Sequence, residues 1–247
     1  MILVFGGTTE GKIVSGVLDD LNIPYYYTTK TKVPFTGKGT AIYGAMDQKL
    51  LREFCEREKI DIILNAAHPF AEQLHKTIVT VPEEIQLYRW ERHFEPREKH
   101  PEVFYVAAYN QVLQLLENLG YTSMLALSGV QTISHLKRYW EENKTWFRIL
   151  DRDSSRNIAL ASGFPETQLI YGYPQSAIEE KKLFRDINPE VIFTKESGSS
   201  GKLYDKIKAA VECAIPIVIL ERPILSDRYI RITKKQELIK LMSKQYS

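Results

Sequence analysis

Short hydrophobic runs alternate with helical patterns from the start of the chain. The runs have the length of buried strands and lie at residues 2–5, 24–27, 40–43, 61–64 and 85–88. Between them, residues 10–21 and 48–59 repeat apolar side chains at helical spacing. Strands that are hydrophobic on both faces and alternate with helices are typical of a parallel sheet. The first part of the chain is therefore predicted to form a βαβ sheet.

A second series of the same kind follows a polar segment at residues 92–101, which contains two prolines. Its predicted strands are residues 103–107, 123–127, 146–150, 169–171, 191–194 and 215–220, and its predicted helices are residues 110–119, 132–140, 176–184 and 202–211. We predict an α/β protein with two Rossmann-like parallel-sheet domains, residues 1–95 and 96–247, and a cleft between them. The last helical pattern, residues 234–242, could dock on either domain.

Composition narrows the class of protein. The 247 residues are 44% hydrophobic and 26% charged, which excludes a disordered chain, and a formal net charge of +2 does not indicate a nucleic-acid partner. Cys55 and Cys213 are far apart and lack metal-ligand spacing, so we expect neither a disulfide framework nor a metal site. The first residues lack a signal-peptide pattern, and no apolar stretch has the length of a membrane helix. We expect a cytoplasmic protein.

A glycine-rich turn follows the first predicted strand and opens the first helix. It reads Gly6-Gly7-Thr8-Thr9-Glu10-Gly11, with Thr8 where the dinucleotide-binding fingerprint has its middle glycine. Backbone N–H groups and the helix dipole at such a turn can hold a pyrophosphate. The turn predicts a dinucleotide site, and the alternative is a tight βα turn without a ligand.

The end of the second predicted strand indicates which dinucleotide binds. NAD enzymes tend to carry an acidic residue there for the ribose hydroxyls, whereas this chain has Thr28, Thr29 and Lys30. Hydroxyl and ammonium groups suit a 2′-phosphate, so NADPH is the predicted cofactor. The alternative is a solvated polar loop.

Polar segments also follow several other predicted strands. They read Asn65-Ala66-Ala67-His68-Pro69-Phe70-Ala71, Tyr88-Arg89-Trp90-Glu91-Arg92, Thr194-Lys195-Glu196-Ser197-Gly198-Ser199-Ser200-Gly201-Lys202, and Glu221-Arg222-Pro223. Open α/β sheets bind ligands outside the carboxyl ends of their strands. We therefore expect these segments to line the functional site.

Together these segments resemble the precorrin-6A reductase family of cobalamin biosynthesis. The matching motifs are GGTTEG, HPFA, YRWER, TKESGSSGK and IPIVILERP, in the same order over nearly the whole chain. The resemblance implies two Rossmann-like domains, NADPH as hydride donor, precorrin-6A or cobalt-precorrin-6A as substrate in the cleft, and neighbouring enzymes of the corrin pathway as partners. The family commonly has Asp-Ala-Thr before HPFA, where this chain has Asn65-Ala66-Ala67.

Reduction of a double bond in such a ring requires a hydride and a proton, and NADPH supplies only the hydride. His68 is a candidate proton donor because an imidazole titrates near neutral pH and this one follows a strand. Tyr88 is a second candidate, and solvent is a third source. The alternative role of His68 is a backbone contact in a turn.

Cationic side chains are candidates for binding the carboxylates of a precorrin. Arg89 and Arg92 suit bidentate contacts, with an ion pair to Glu91 as the alternative. Arg222 ends the last predicted strand at the same edge. The loop after residue 194 could hold either a nucleotide phosphate or substrate carboxylates. We assign Lys195, Ser197 and Gly198 to the cofactor, and Gly201 and Lys202 to the substrate.

Two other functions remain open from the sequence. A non-catalytic Rossmann module that senses a dinucleotide or a corrinoid would share the fold. An NADPH reductase of a smaller substrate would share the fold and the glycine turn.

Overall fold

The computed structural model describes residues 1–92 and 94–246, which form two compact units. The first comprises Met1–His93 with Pro223–Ser247, and the second comprises Phe94–Arg222. Each unit contains one six-stranded parallel sheet with helices packed on it. The predicted fold class, two parallel-sheet α/β domains, is confirmed. Within the described residues, no helix has the length and hydropathy that a membrane span requires.

The first sheet has the strand order β12-β5-β4-β1-β2-β3. Its strands are β1 (Ile2–Phe5), β2 (Tyr25–Thr29), β3 (Thr40–Tyr43), β4 (Ile62–Asn65), β5 (Gln86–Trp90) and β12 (Ile230–Ile232). Its helices are α1 (Thr9–Asp20), α2 (Gln48–Arg57), α3 (Glu72–Ile78) and α9 (Lys235–Gln245). Val4 and Leu64 pack with residues of α1 and α9 on one face. Leu3 and Ile63 pack with residues of α2 and α3 on the other, so alternate side chains of each central strand enter two cores.

The C-terminal segment belongs to the first unit, whereas the sequence assigned all residues after 95 to the second domain. In β12, Ile230 and Ile232 pair with Tyr88 and Trp90 of β5. Leu238 of α9 is fully buried in the core that α1 covers. Two of the three β12 residues are exposed, so the strand lacks the hydrophobic pattern that marks the others. Burial of one face of α9 fixes which unit this segment joins.

The second sheet has the strand order β6-β11-β10-β7-β8-β9. Its strands are β6 (Val103–Val106), β7 (Ser123–Ala126), β8 (Lys144–Ile149), β9 (Leu169–Tyr171), β10 (Val191–Lys195) and β11 (Ile217–Leu220). Its helices are α4 (Tyr109–Leu119), α5 (Lys137–Trp140), α6 (Asp153–Ala161), α7 (Ala177–Ile187) and α8 (Leu203–Glu212). The order around β7 repeats the order around β1. The difference lies in the strand beyond the fifth position, which is β12 at the end of the first unit and β6 at the start of the second.

The helix predicted at residues 132–140 is broken into short pieces. Two 3-10 helices, Val130–Thr132 and Ser134–Leu136, precede the four-residue α5. The indole Nε1 of Trp140 donates to the carbonyl oxygen of Ile133 at 2.7 Å, which occupies an acceptor that a continuous helix would use for its own backbone. The helices α3 and α6 have no counterpart among the predicted elements.

Leu238→Ala tests the docking of α9. The fully buried side chain lies in the core beneath α1, so its removal is expected to lower the free energy of unfolding by about 2–5 kcal/mol. Lys240→Ala, at an exposed position of the same helix, is the matched control and should change it by less than about 0.5 kcal/mol. Urea unfolding measures both. Equal stability of the two variants would show that α9 is not docked.

Candidate functional site

The glycine-rich turn is tied to two neighbouring strands at the carboxyl edge of the first sheet. The backbone N–H of Gly6 donates to the carbonyl oxygen of Thr28 at 3.0 Å, which anchors the start of the turn to β2. Thr8 is the N-cap of α1, since its Oγ1 accepts from the N–H of Gly11 at 3.0 Å. The same hydroxyl donates to the carbonyl oxygen of Ala66, which follows β4, at 2.7 Å. The turn therefore has one fixed conformation between β2 and β4.

Tyr27 lies inside this turn. Its side chain is 3% exposed, and its hydroxyl accepts from the backbone N–H of Gly7 at 2.9 Å. A Cβ atom on Gly6 would lie 2.2 Å from that hydroxyl oxygen, and one on Gly11 would lie 2.7 Å from it. Its ring stacks on Phe35 with centroids 4.2 Å apart. The spacing of the two glycines therefore follows from a tyrosine that the sequence indicated only as strand packing.

The mouth of the turn offers hydrogen-bond donors to an anion. Gly7 has a φ of +84° and is exposed. The backbone N–H groups of Thr8 and Thr9 meet no acceptor within the described part of the chain, as expected for the first turn of a helix. The 12 residues of α1 add the positive end of a helix dipole. The turn fits a phosphate group in the way the sequence predicted.

Glu10 and Arg92 form a buried ion pair beside this turn. Arg92 Nη2 lies 2.8 Å from Glu10 Oε2, and both side chains are less than 10% exposed, at 7% and 8%. The pair neutralises a carboxylate that would otherwise repel a phosphate. It also means that Glu10, predicted to bind the cofactor, and Arg92, predicted to bind the substrate, contact each other. Glu91, the alternative partner of Arg92, instead lies 3.7 Å from Arg231.

The predicted 2′-phosphate residues end β2 beside the turn. Thr28 and Thr29 are buried, and Thr29 Oγ1 donates to the carbonyl oxygen of Thr31 at 2.8 Å. A Cβ atom on Gly7 would lie 3.4 Å from Cγ2 of Thr29, so this threonine borders the turn. Lys30 is exposed and directly follows the strand. Its charge is therefore placed in solvent near the turn, and the hydroxyl of Thr29 is already engaged.

A buried polar network lies under the segment that follows β4. Asn65 Nδ2 donates to Nδ1 of His75 at 2.9 Å and to the hydroxyl of Tyr229 at 3.1 Å. Its Oδ1 accepts from Arg89 Nη1 at 3.0 Å and from the backbone N–H of Ala67 at 3.2 Å. The amide of Asn65 thus uses both N–H groups and both lone pairs of its oxygen. The network joins β4, α3, β5 and the segment before β12.

The tautomer of His75 in this network follows from its partners. Its Nε2 lies 3.1 Å from the carbonyl oxygens of both His68 and Pro69, which can only accept, so this nitrogen carries the proton. Its Nδ1 then accepts from Asn65. Burial lowers the pKa of His75 to about 4, and the charge of Arg89 lowers it further in the same direction. His75 is therefore neutral and holds the backbone on which His68 is mounted.

His68 itself is exposed at the carboxyl edge of β4. Its Nδ1 accepts from the backbone N–H of Phe70 at 3.2 Å, and its ring is tilted against the ring of Phe70. The backbone contact that the sequence offered as an alternative is therefore present. It leaves the position of the imidazole at the ligand-binding edge unchanged, so His68 remains a predicted proton donor.

Tyr88 and Arg89 are placed differently from their predicted roles. The ring of Tyr88 is 3% exposed in the core beneath α1 and α9, and its hydroxyl donates to Gln86 Oε1 at 2.7 Å, at the amino end of β5. This position does not support proton donation at the carboxyl edge. Arg89 is 2% exposed and donates to Asn65 and to the carbonyl oxygen of Ala67 at 2.8 Å. It serves the buried network, so a direct substrate contact is not supported.

The loop after β10 in the second unit brings its predicted residues into one tight turn. Gly198 has a φ of +71°, and a Cβ atom on Gly201 would lie 1.9 Å from Oγ of Ser197. Lys195 lies over the ring of Tyr109 at 5.8 Å. Lys202 is exposed and has left-handed backbone with a φ of 49°. The loop therefore exposes ammonium groups at the carboxyl edge of the second sheet.

Arg222 stands at the end of the neighbouring strand β11. Its guanidinium lies 3.7 Å from the ring centroid of Phe94, and its Nη1 is buried without a hydrogen-bond partner among the described residues. Its backbone N–H donates to Glu196 Oε2 at 3.0 Å. Arg97 binds the same carboxylate and also Glu221. Arg222 is thus held on an aromatic ring by a network that contains two carboxylates.

Sequence reasoning missed Tyr27, His75 and Tyr229. Tyr27 had a local signal, because two glycines without a ligand requirement imply a close neighbour. His75 lies on α3, which has too few apolar residues to be recognised as a helix. Tyr229 lies 164 residues from Asn65, and no pattern in the sequence links the two.

Comparisons with known proteins agree with this arrangement. The family model described as Precorrin-6x reductase CbiJ/CobK matches residues 1–243. The cobalt-precorrin-6A reductase of Methanocaldococcus jannaschii is 27% identical over 231 residues, with 90% of each chain covered. That of Methanococcus maripaludis is 26% identical over 238 residues, covering 90% of this chain and 91% of the relative.

A solved structure shares the fold. The chain superimposes on CobK precorrin-6A reductase with a TM-score of 0.73 at 19% sequence identity, covering 100% of this chain and 97% of that one. At this identity the likeness establishes the fold alone.

His75 is expected to make stability fall in mild acid. Its folded pKa of about 4 lies below the usual value of 6.5, so stability is fully present above pH 6.5 and is lost as the pH falls towards 4. Between pH 7 and 5 the loss attributable to this group is about 2 kcal/mol, from 1.36 kcal/mol per pKa unit. Urea unfolding at the two pH values measures it. His75→Gln should lose that part of the pH dependence, and an unchanged dependence would contradict the assignment.

Proposed function

Because the chain belongs to the precorrin-6x reductase family, we propose that it reduces a carbon–carbon double bond of cobalt-precorrin-6A, with NADPH as hydride donor. The match of the family model over residues 1–243 is the observation that carries this proposal. The family makes the chain an oxidoreductase of cobalamin biosynthesis. The cobalt form is favoured because the two relatives described above are named for it. Precorrin-6A without the metal is the alternative substrate.

The glycine turn of the first unit supports a dinucleotide. Its N–H groups at Thr8 and Thr9 point from the start of α1 without acceptors in the described chain, and Gly7 leaves room for close approach. The ion pair between Glu10 and Arg92 removes a repulsive charge from the same place. We assign the pyrophosphate of NADPH to this turn.

Lys30 supports the choice of NADPH over NADH. It is exposed directly after β2, where a dinucleotide held by the turn places its adenine ribose. An ammonium group there favours a 2′-phosphate. Thr28 and Thr29 shape the end of the strand from below, since both are buried.

The protein positions the reactants and provides a proton. When bound, NADPH supplies the hydride, and the neighbouring carbon of the ring requires a proton. We assign this proton to His68, which is exposed after β4 and is mounted on backbone that His75 holds through two carbonyl oxygens. The proton leaves an imidazolium and returns from solvent after the reaction.

The carboxylates of the substrate require cations, and the second unit offers them. Lys195, Lys202 and Arg222 lie at the carboxyl ends of β10 and β11. The turn formed by Ser197, Gly198 and Gly201 fixes the backbone between the two lysines. We now assign Lys195, Ser197 and Gly198 to the substrate as well, because the nucleotide phosphates have a place in the first unit.

The reaction is proposed to take place in the cytoplasm alongside other enzymes of the corrin pathway. Both cysteines, Cys55 and Cys213, are free thiols, as is usual for proteins of a reducing compartment.

Anaerobic turnover tests the reaction. The purified chain is mixed with NADPH and cobalt-precorrin-6A, and loss of the reduced nicotinamide absorbance is followed, with NADH and with metal-free precorrin-6A as separate arms. Oxidation of NADPH that requires the cobalt ring is the expected result. Tight binding of both ligands without turnover would indicate a sensor, and turnover only with small unsaturated substrates would indicate a different reductase.

Lys30→Glu tests the cofactor assignment. Reversal of the charge beside the 2′-phosphate should weaken NADPH binding roughly 10- to 100-fold, the range of one hydrogen bond to a charged group, and should leave NADH binding nearly unchanged. Lys76→Glu makes the same change of net charge at an exposed position of α3 and is the control. Titration calorimetry measures both nucleotides. An equal loss for NADH and NADPH would contradict the role of Lys30.

A further inference from the structure

Three consecutive tyrosines of β2 differ in how their hydroxyl groups are satisfied. Tyr25 donates to Asp19 Oδ1 at 2.8 Å, and Tyr26 donates to a carboxylate oxygen of Glu58. The hydroxyl of Tyr27 accepts from the N–H of Gly7 but meets no acceptor within residues 1–92 and 94–246. A tyrosine hydroxyl has one proton to donate. That of Tyr27 is therefore unused although the side chain is 3% exposed.

The position of this hydroxyl places its proton at the mouth of α1. The oxygen lies where Cβ atoms of Gly6 and Gly11 would be, 2.2 Å and 2.7 Å away, so it sits between the first residue of the turn and the first turn of the helix. The N–H groups of Thr8 and Thr9 open on the same place. A buried polar group without an acceptor is costly, and a ligand that supplies one removes the cost.

We propose that the Tyr27 hydroxyl binds the dinucleotide directly, by donating a hydrogen bond to an oxygen of its pyrophosphate. The inference rests on the proposed function, which assigns that pyrophosphate to the glycine turn. Burial raises the pKa of Tyr27, which keeps the hydroxyl protonated and able to donate at neutral pH. The tyrosine contributes at once a wall of the turn and a donor to the ligand.

This role accounts for the spelling of the turn. Gly6 and Gly11 have no side chain because the tyrosine hydroxyl occupies that space. Thr8 replaces the middle glycine of the usual fingerprint because its own hydroxyl caps α1 and binds the carbonyl oxygen of Ala66. Two side-chain hydroxyls, from Thr8 and Tyr27, thus complete a turn that elsewhere relies on backbone alone.

Tyr27→Phe tests the proposal, with Tyr25→Phe as matched control. Both variants lose one hydroxyl from a buried ring of the same strand, but Tyr25 binds Asp19 away from the turn. Binding of NADP⁺ and of adenosine 2′-monophosphate, which lacks the pyrophosphate, is measured by titration calorimetry. We expect Tyr27→Phe to weaken NADP⁺ binding roughly 10- to 100-fold and to leave the monophosphate within about twofold, because one hydrogen bond to a charged group is lost. Tyr25→Phe should bind both as the unmodified chain does.

The outcomes separate this inference from the proposed function. Unchanged NADP⁺ binding by Tyr27→Phe overturns the role of the hydroxyl alone. An equal loss for both ligands also overturns it, because it shows a deformed site. Failure of the unmodified chain to bind NADP⁺ overturns the cofactor assignment and the role of Tyr27 with it. Thermal unfolding establishes that both variants are folded.

A spectroscopic measurement distinguishes a donor from a brace of the turn. Inorganic pyrophosphate does not absorb in the tyrosine region, so its binding reports changes in tyrosine hydrogen bonding as an ultraviolet difference spectrum. A red shift that is present in the unmodified chain and in Tyr25→Phe, and lost in Tyr27→Phe, supports the proposal. Absence of the shift in the unmodified chain, or its persistence in Tyr27→Phe, overturns it.

Discussion

Both sheets are parallel throughout, and this constraint determines where the functional residues lie. Each connection returns the chain to the amino edge before the next strand, so the carboxyl ends of all strands in a sheet meet at one edge. The amino termini of the following helices meet there too. The turn after β1, the end of β2 at Thr29 and the segment after β4 are distant in sequence but adjacent in space for this reason. Side chains at the opposite ends of the same strands, such as Gln86, cannot contribute.

Burial at that edge creates a second requirement, which the polar network of the first unit meets. The guanidinium of Arg89 is 2% exposed and is bound by neutral oxygens of Asn65 and Ala67, with no carboxylate in direct contact. Burial lowers its pKa to about 10, which still leaves it charged at neutral pH. Dipoles of carbonyl and amide groups compensate the charge without adding a second ion to desolvate.

The same network explains why the chain has Asn65 before its HPFA motif. The two N–H groups of the amide serve His75 Nδ1 and the hydroxyl of Tyr229. A carboxylate has no N–H to offer and would face the lone pair of a neutral histidine. Asparagine at this position and neutral His75 are therefore one choice, and the departure from Asp-Ala-Thr follows from the partners that this chain supplies.

The sequence predicted those parts of the fold that local patterns specify. The bounds of β1, β3 and β9 coincide with the predicted runs, because strands buried by helices are continuous hydrophobic segments. The glycine turn and its position were predictable for the same reason, since the motif and its context are contiguous. The exposed edge strand β12 and the short helix α3 lack such patterns. The partners of Asn65 and the burial of Arg89 depend on contacts across the chain, which no local pattern encodes.

Comparison of the two sheets shows why the phosphate turn belongs to the first unit. The strand β7 occupies the place of β1, yet Gly129 is followed by two 3-10 helices and the four-residue α5, so no long helix begins at this edge after β7. Lys206 of α8 lies there instead, 3% exposed, with its Nζ 3.4 Å from the carbonyl oxygen of Leu127 and 3.3 Å from Thr194 Oγ1. Burial lowers its pKa to about 8.

An ammonium group therefore does for the second sheet what the hydroxyl of Thr8 does for the first, since each donates to a carbonyl oxygen beyond a central strand. The consequences for ligands differ. A buried lysine that already holds its own strands has no reach into solvent, and the backbone after β7 presents no row of free N–H groups at the start of a regular helix. Binding of anions by the second unit must come from mobile side chains such as Lys195 and Lys202. Such contacts suit carboxylates spread around a large ring better than the compact, fixed geometry of a pyrophosphate.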